Sequence, residues 1–283
     1  MTIPEYNPLV AILLCTFNGE LFLAKQLDSL ESQTHENWVL FASDDGSNDS
    51  TLEILRKYQE KWPKGKLVIR NGPQKGFCQN FLSLASDPKI KANYYAFCDQ
   101  DDVWLPQKIA AGISLIEINA DSDNSIPILY GGKTIYVDEN LKFICNSSSF
   151  NYPMVFRNAL VQTMAGGNTM LFNNASKAVV EKTRGAKPAS HDWWLYLLIS
   201  GVEGICIFDQ NPQVLYRQHK NSVVGGNQKF LAKLNRLYFL LGGRFKFLIN
   251  ENIKALINHQ KLLSKNSHEL LIAFVSMRKA NFL

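Results

Sequence analysis

The sequence predicts an α/β domain with a mostly parallel central sheet flanked by helices, followed by a helical C-terminal region. Three observations carry that expectation. Short apolar runs alternate with segments of helical spacing, the βα rhythm of a parallel sheet. Several of those runs end in polar or acidic clusters, and from residue 228 onward the composition turns basic and helical. At 283 residues the chain is long enough for one large domain plus an appendage.

Leu9–Cys15 is a continuous apolar run, the pattern of a strand buried on both faces. After the turn-like Asn18-Gly19, Leu23, Leu27 and Leu30 recur at i, i+4 and i+7 with Lys25, Gln26 and Asp28 between them, predicting a helix. Trp38–Ala42 is the second strand, and Ser47, Asn48 or Asp49 is the expected cap of a helix over Thr51–Trp62. Lys66–Arg70 is the third strand, Gly76-Phe77-Cys78-Gln79-Asn80 opens another helix, and Tyr94–Cys98 is the fourth strand. Pro106 suits a first helical turn, so a helix is expected from there to about Asn119. Further on, Ile128–Val137 reads as a strand and Gly166-Gly167-Asn168 as a tight turn. Ser190 is placed to cap a helix running through Ile199, and strands follow near Gly204–Phe208 and Val214–Tyr216. Gly225-Gly226-Asn227 marks the expected boundary between residues 1–225 and 226–283.

A hydrophobic content of 46% with 19% charged residues is that of a soluble globular chain. No apolar run approaches the roughly 20 residues of a membrane span, and MTIPEYNPLV does not read as a secretory signal. The five cysteines form no CxxC pair, which points to reduced thiols in the cytoplasm and makes the sequons at Asn48 and Asn146 chance matches. The net charge of +5 is unevenly spread: after residue 227 there are ten Lys and Arg against two Glu, leaving the preceding part at −3. Such a basic tail points to an anionic membrane surface, a nucleic acid or a partner protein.

Thr16-Phe17-Asn18, Asp44-Asp45 and Asp99-Gln100-Asp101-Asp102 follow the first, second and fourth strands, on the rim where open parallel sheets bind ligands. Thr16-Phe17-Asn18-Gly19-Glu20 is neither GxGxxG nor a P-loop, which disfavours a dinucleotide oxidoreductase or a P-loop NTPase. Three carboxylates within four residues need water or a cation beside them. Asp99 and Asp101 are candidates to hold Mg²⁺ or Mn²⁺ against a phosphorylated ligand; the plain alternative is a solvated turn in which Asp102 caps the next helix. Asp44 could meet a nucleobase N–H while Thr16 and Asn18 hold the nucleoside, or could simply make an Asx-turn.

VAILLCTFNGE, SDDGSNDST and FCDQDDVWLPQKI resemble, in that order, the family 2 glycosyltransferases of the GT-A fold. GGNTMLF (166–172), HDWWLYLLISG (191–201) and LYRQHKNSVVG (215–225) are similar to a rhamnosyltransferase-like branch of that family. The resemblance spans nearly all of residues 9–225 and leaves out the basic tail. It implies a metal-dependent, inverting transfer of a sugar from a nucleoside diphosphate to an acceptor hydroxyl, with Mg²⁺ or Mn²⁺. It implies donor contacts at Thr16, Asn18, Glu20, Asp44, Asp45, Asn80 and Asp99. Asp101 becomes the direct metal ligand, Asp99 lies near the ribose or in the metal's outer shell, and His219 approaches the metal or diphosphate. Asp192 takes the place of the catalytic base, preceded by His191 where many members carry Glu. Gly167, Asn168, His191 and Trp193 fall near the acceptor or the phosphates.

The favoured donor is dTDP-rhamnose (UDP types being the alternative) and the favoured acceptor a surface polysaccharide or its lipid-linked precursor. A UDP-hexose or UDP-N-acetylhexosamine donor stands beside it, as does a non-catalytic nucleotide-binding partner subunit. A nucleotidyltransferase would leave HDWW without a role. In the tail, Phe230, Leu231, Leu234, Leu237, Tyr238 and Leu241 share one helical face, with Lys229, Lys233 and Arg236 on another. Either this region packs on the α/β domain, or it docks on the anionic inner face of the cell membrane, near a lipid-linked acceptor. No nucleic-acid motif accompanies the charge.

Overall fold

The computed structural model describes residues 7–121, 125–219 and 243–279. The expected boundary at Gly225-Gly226-Asn227 and the helical face from Phe230 to Leu241 therefore lie outside the described residues. The strands are β1 (Val10–Thr16), β2 (Trp38–Asp44), β3 (Leu67–Asn71), β4 (Tyr94–Asp99), β5 (Val103–Trp104), β6 (Ile128–Val137), β7 (Phe143–Asn146), β8 (Leu171–Asn173) and β9 (Ile205–Arg217). The helices are α1 (Leu23–Glu31), α2 (Thr51–Lys61), α3 (Phe77–Ala85), α4 (Lys108–Asn119), α5 (Phe156–Ala159), α6 (Asn174–Glu181), α7 (His191–Gly201), α8 (Arg244–Asn258) and α9 (Lys265–Lys279).

The strands form one sheet in the order β3-β2-β1-β4-β8-β6-β9-β5, with β7 paired to β6. β3, β2, β1 and β4 run parallel, the expected βα half. β8 reverses direction against both β4 and β6. Register decides what meets at the rim: Thr16 lies opposite Asp44, Asp44 opposite Asn71, and Cys15 opposite Asp99.

Alternation along each strand divides the core in two. Val10, Ile12 and Leu14 pack with α1, α2 and α4 residues on one face. Ala11, Leu13 and Cys15 pack with α3, α6 and α7 residues on the other. α7 is buried nearly all round, which explains the unbroken apolar run after His191-Asp192. Its outer side is covered by the C-terminal helices: Ile249, Ile253 and Leu256 of α8 and Leu271 and Phe274 of α9 belong to the same cluster. Phe245 stacks on Trp193 at 6.2 Å between ring centroids, and Ser264 N–H donates to Gly201 O at 2.9 Å.

Several expected details differ. The two strands anticipated at Gly204–Phe208 and Val214–Tyr216 are one strand, β9, whose register against β6 shifts between Gly132 and Thr134. α4 begins at Lys108, so Pro106 precedes the helix instead of opening it. Ser190 holds the N-cap position of α7 without a side-chain cap bond. At α2 Asp49 does serve the helix start, accepting Thr51 N–H at 3.0 Å, although Ser50 holds the N-cap position.

Leu256 is fully buried, so Leu256→Ala should destabilise the full chain by about 2–5 kcal/mol, the cost of a core cavity. Urea denaturation checks it; a loss below about 1 kcal/mol would detach α8 from the cooperative core.

Candidate functional site

Two loops at the rim are laced together by side chains the sequence marks as polar. Asn18 has φ 49°, a left-handed conformation asparagine tolerates, and its N–H donates to Ser47 Oγ at 2.8 Å. Gly19 N–H reaches Thr51 Oγ1 at 2.7 Å and Glu20 N–H reaches Asp49 Oδ2 at 3.1 Å. In return Asn48 N–H donates to Asn18 Oδ1 and Ser50 N–H to Glu20 Oε2, both at 3.0 Å. Asp44, 5% exposed, accepts from Thr16 Oγ1 (2.8 Å), Ser47 Oγ (2.6 Å), Ser47 N–H (2.8 Å) and Gly46 N–H (3.2 Å).

Asp45 and Asn80 work behind this rim. Asp45 accepts from Gln74 N–H at 2.6 Å and Gly76 N–H at 2.8 Å, bridling the loop between β3 and α3. Asn80 is buried and exchanges hydrogen bonds with Ser43. Gly72 is needed between them, because a Cβ there would lie 2.7 Å from Asp45 Oδ1 and 2.8 Å from Asn80 Oδ1.

The Asp99–Asp102 turn separates its three carboxylates. Gln100 brackets Phe17, accepting its N–H at 2.8 Å and donating to its carbonyl at 3.0 Å. Asp101 Oδ2 lies 2.8 Å from His219 Nε2, a convergence across 118 residues. Asp102 is fully buried and caps no helix: it accepts Asn168 Nδ2–H at 2.6 Å and Arg217 N–H at 3.2 Å. Arg217 Nε–H donates to Asp101 O at 2.8 Å, and its guanidinium lies over Phe22, 4.6 Å from the ring centroid. Burial, then the charges of Asp101 and Asp192, push the Asp99 carboxyl up to about 8.

That surplus of negative charge fits a divalent cation. Asp101 and His219 offer oxygen and nitrogen donors side by side, with Asp99 adjacent. Among the described residues no three His, Cys, Asp or Glu side chains form a ready-made cage. A hard cation that keeps waters and takes phosphate oxygens does not need one.

Asp192 stands in the first turn of α7, half-buried, its Oδ1 accepting Trp193 N–H at 2.7 Å. It is near enough to Asp99 and Cys78 for its charge to raise both; burial acts first and brings the Cys78 thiol to about 12. His191 is 5% exposed, stacked on Phe81 at 4.0 Å and edge-on to Phe97 at 4.8 Å. A Cβ on Gly167 would lie 2.3 Å from His191 Nε2, so this glycine lets the GGN turn lie against the imidazole. Trp193 is buried, its indole N–H donating to Ala159 O at 2.6 Å. The loop before α7 is held from two sides, by Gln79 Nε2–H to Ala186 O at 3.1 Å and by Ala189 N–H to Asn252 Oδ1 at 2.9 Å.

Gln100, Arg217, Asn252 and the Phe81–Phe97 cage did not stand out in the sequence as site residues. Phe97, Gln100 and Arg217 lie inside motifs that did; Asn252 and Phe81 carry no local signal.

Residues 11–177, more than half of the chain, match the family model "Glycosyl transferase family 2". The chain is 29% identical to a dTDP-rhamnosyl transferase, RfbG, of Shigella flexneri, over 79% of this chain and 78% of that one. It is 22% identical to TuaG of Bacillus subtilis, a putative teichuronic acid biosynthesis glycosyltransferase, over 83% and 92% respectively. Other relatives are matched over less of their own length, 65% of one rickettsial glycosyltransferase and 19% of another. Among solved structures, TarS of S. aureus with UDP-GlcNAc superposes with TM-score 0.57 at 15% identity, covering 92% of this chain and 82% of that one. A Pyrobaculum calidifontis mannosyltransferase with GDP-Man and Mn²⁺ gives 0.54 at 15% identity, covering 97% and 81%. These likenesses show the GT-A fold.

Burial holds the His191 imidazole down at about 4, with Asp192 opposing the shift. The unfolded chain, with its histidine near 6.5, therefore binds a proton that the folded chain refuses between pH 6.5 and 4. Stability present at neutral pH should fall across that window by up to about 3 kcal/mol from this group. Urea midpoints from pH 7 to 4 should fall less steeply in His191→Leu than in wild type; parallel curves would exclude the effect.

Proposed function

The chain belongs to glycosyl transferase family 2, a rhamnosyltransferase-like glycosyltransferase, and on that premise we propose an inverting, metal-dependent transfer of L-rhamnose from dTDP-rhamnose to an acceptor hydroxyl of a surface glycan or its lipid-linked precursor. The observation that carries the reading is that Asp192 lies close enough to the Asp99–Asp101 turn for its charge to act on Asp99. An inverting displacement needs a base on the acceptor side and electrophilic help on the leaving-group side.

Asp192 takes the acceptor proton, the freed oxygen attacks the anomeric carbon, and the nucleoside diphosphate leaves from the opposite face. Asp101, with His219 and Asp99 beside it, would hold Mg²⁺ or Mn²⁺, which supplies charge stabilisation for the departing diphosphate. The laced loops of Thr16, Asn18, Glu20 and Asp44 form the rim on which the nucleoside lies, with Asp45 and Asn80 supporting that rim from behind. Gly167, Asn168 and His191 shape the floor between donor and acceptor, while Trp193 anchors the base helix. Holding both substrates in line contributes much of the acceleration.

The sugar assignment rests on the likeness to the Shigella dTDP-rhamnosyl transferase. A UDP-N-acetylhexosamine donor is the second reading, favoured by the fold shared with a UDP-GlcNAc complex. No helix among the described residues is long and apolar enough to cross a membrane. The basic excess after residue 227, with Phe247, Ile272 and Met277 exposed, supports peripheral contact with an anionic cytoplasmic membrane face. Residues 226–283 would then serve both as that contact and as the buttress of α7.

A thermal-shift panel of dTDP-rhamnose, UDP-glucose and UDP-GlcNAc with and without Mn²⁺ tests the donor, since a ligand of the native state alone raises Tm with its affinity. Asp192→Asn should retain the donor-induced shift and lose transfer by about 10²-fold or more; turnover at the wild-type rate would remove Asp192 from the base role. Asp101→Ala should abolish the Mn²⁺-dependent part of the shift and leave the metal-free part, and an undiminished Mn²⁺ effect would sink the ligand assignment.

A further inference from the structure

Helix α1 buries a polar stripe beneath the Asp99–Asp102 turn. Gln26 and Ser29 are buried on one face of α1, and the buried Gln33 lies just past its C-terminal end. Each serves the chain leaving β4. Gln26 Nε2–H donates to Cys98 Sγ at 3.0 Å, and Ser29 Oγ accepts Trp104 N–H at 3.1 Å. Gln33 accepts Ile109 N–H at 3.2 Å and donates to Leu105 O at 2.9 Å. Leucines at these positions would bury as readily, but could not orient a loop.

Three atoms in this layer have no protein partner: Gln26 Oε1, Trp104 Nε1 and Lys108 Nζ. Their side chains are 0%, 1% and 1% exposed. They share one locality. Lys108 Nζ lies 3.6 Å from the Trp104 ring centroid, and its charge interacts with both Cys98 and Asp102. Gln26 is bonded to that same Cys98. A buried ammonium with no hydrogen bond is costly, and so is an orphaned indole N–H or amide oxygen. Two donors and one acceptor are a set that one buried water can satisfy.

We propose that Gln26, Trp104 and Lys108 enclose a buried water site beneath the Asp99–Asp102 turn, and that Lys108, acting through this water, is a positioning residue for that turn. Asp102 is held from above by Asn168 and Arg217; the hydrated amine holds the same segment from below. Lys108 Nζ itself lies over the Trp104 ring, 3.6 Å from its centroid, and has no direct protein acceptor. The water site stands on geometry alone, and only its consequence for cation binding rests on the function proposed above.

Three measurements on the full chain test it. A high-resolution crystal structure should show a water within about 2.7–3.2 Å of Lys108 Nζ, Trp104 Nε1 and Gln26 Oε1; an empty site, or direct protein partners for all three atoms, overturns it. Lys108→Met keeps the stem and removes the amine, and Trp104→Phe removes the indole donor together with part of the buried ring's volume. In each folded variant, amide exchange over residues 99–107 should quicken about tenfold while that of β2 and β3 stays at the wild-type rate. Unchanged exchange in the turn, or an equal rise in β2 and β3, overturns the positioning role. Mn²⁺ affinity, titrated with a nucleoside diphosphate present, should weaken about tenfold, with metal-free nucleotide affinity unchanged. A wild-type chain that binds no Mn²⁺ would refute the metal-dependent reading of the preceding subsection, while density and exchange would still decide this one.

Discussion

One buried carboxylate holds the centre of this molecule together. Asp102 joins the exit of β4, the GGN turn through Asn168 and the end of β9 through Arg217. These three segments are far apart in sequence, and each brings something the site uses: Asp99 and Asp101 from β4, Gly167 beneath His191, and His219 just past β9. A carboxylate removed from water must be satisfied by such donors or it destabilises the fold. Loss of any one anchor would let the other segments shift, so the mutual placement of Asp99, Asp101, Gly167 and His219 depends on this buried group.

The donor side follows a related economy of hydrogen bonds. A carboxylate has about four acceptor positions, and those of Asp44 are filled by Thr16, Ser47 twice and Gly46. A nucleobase N–H at Asp44 would therefore have to displace one of these donors. Asn18, Glu20 and Asp45 are likewise committed to backbone N–H groups. The first task of this polar set is to fix the loops, so that a nucleotide meets a surface already in place and less ordering is lost on binding.

Much of the fold was legible because parallel strands advertise themselves as apolar runs and the helices between them by 3.6-residue spacing. The rim was legible too, since polar and acidic clusters after strands 1, 2 and 4 can only converge once those strands lie side by side. What escaped the sequence was partnership. Gln26 among Lys25 and Asp28 looks like a solvated residue, yet it is fully buried against Cys98. Pro106 was misread because Thr34 N–H takes the Pro106 carbonyl, tying that segment to the end of α1 before the helix starts. The separate strands expected near 204–208 and 214–216 merge because β6 is long enough to pair with both and absorbs the bulge between Gly132 and Thr134. Each error concerns a tertiary partner, which local pattern does not encode.

Helix α7 shows how a departure from the family pattern is accommodated. A Glu in place of His191 would put a second carboxylate beside Asp192, enclosed by Phe81, Phe97 and the GGN turn. Without a cation beside it, such a group would be driven to protonate or to open the cage. An imidazole meets the same enclosure as a neutral ring that stacks on Phe81, and burial keeps it neutral well below physiological pH. Asp192 then carries the negative charge at the start of α7, favoured there by the helix dipole, and its interaction with Asp99 is uncomplicated by a charged neighbour. The aromatic cage and the histidine are thus two halves of one solution, and Gly167 is the third condition, because a side chain there would occupy the space of the ring.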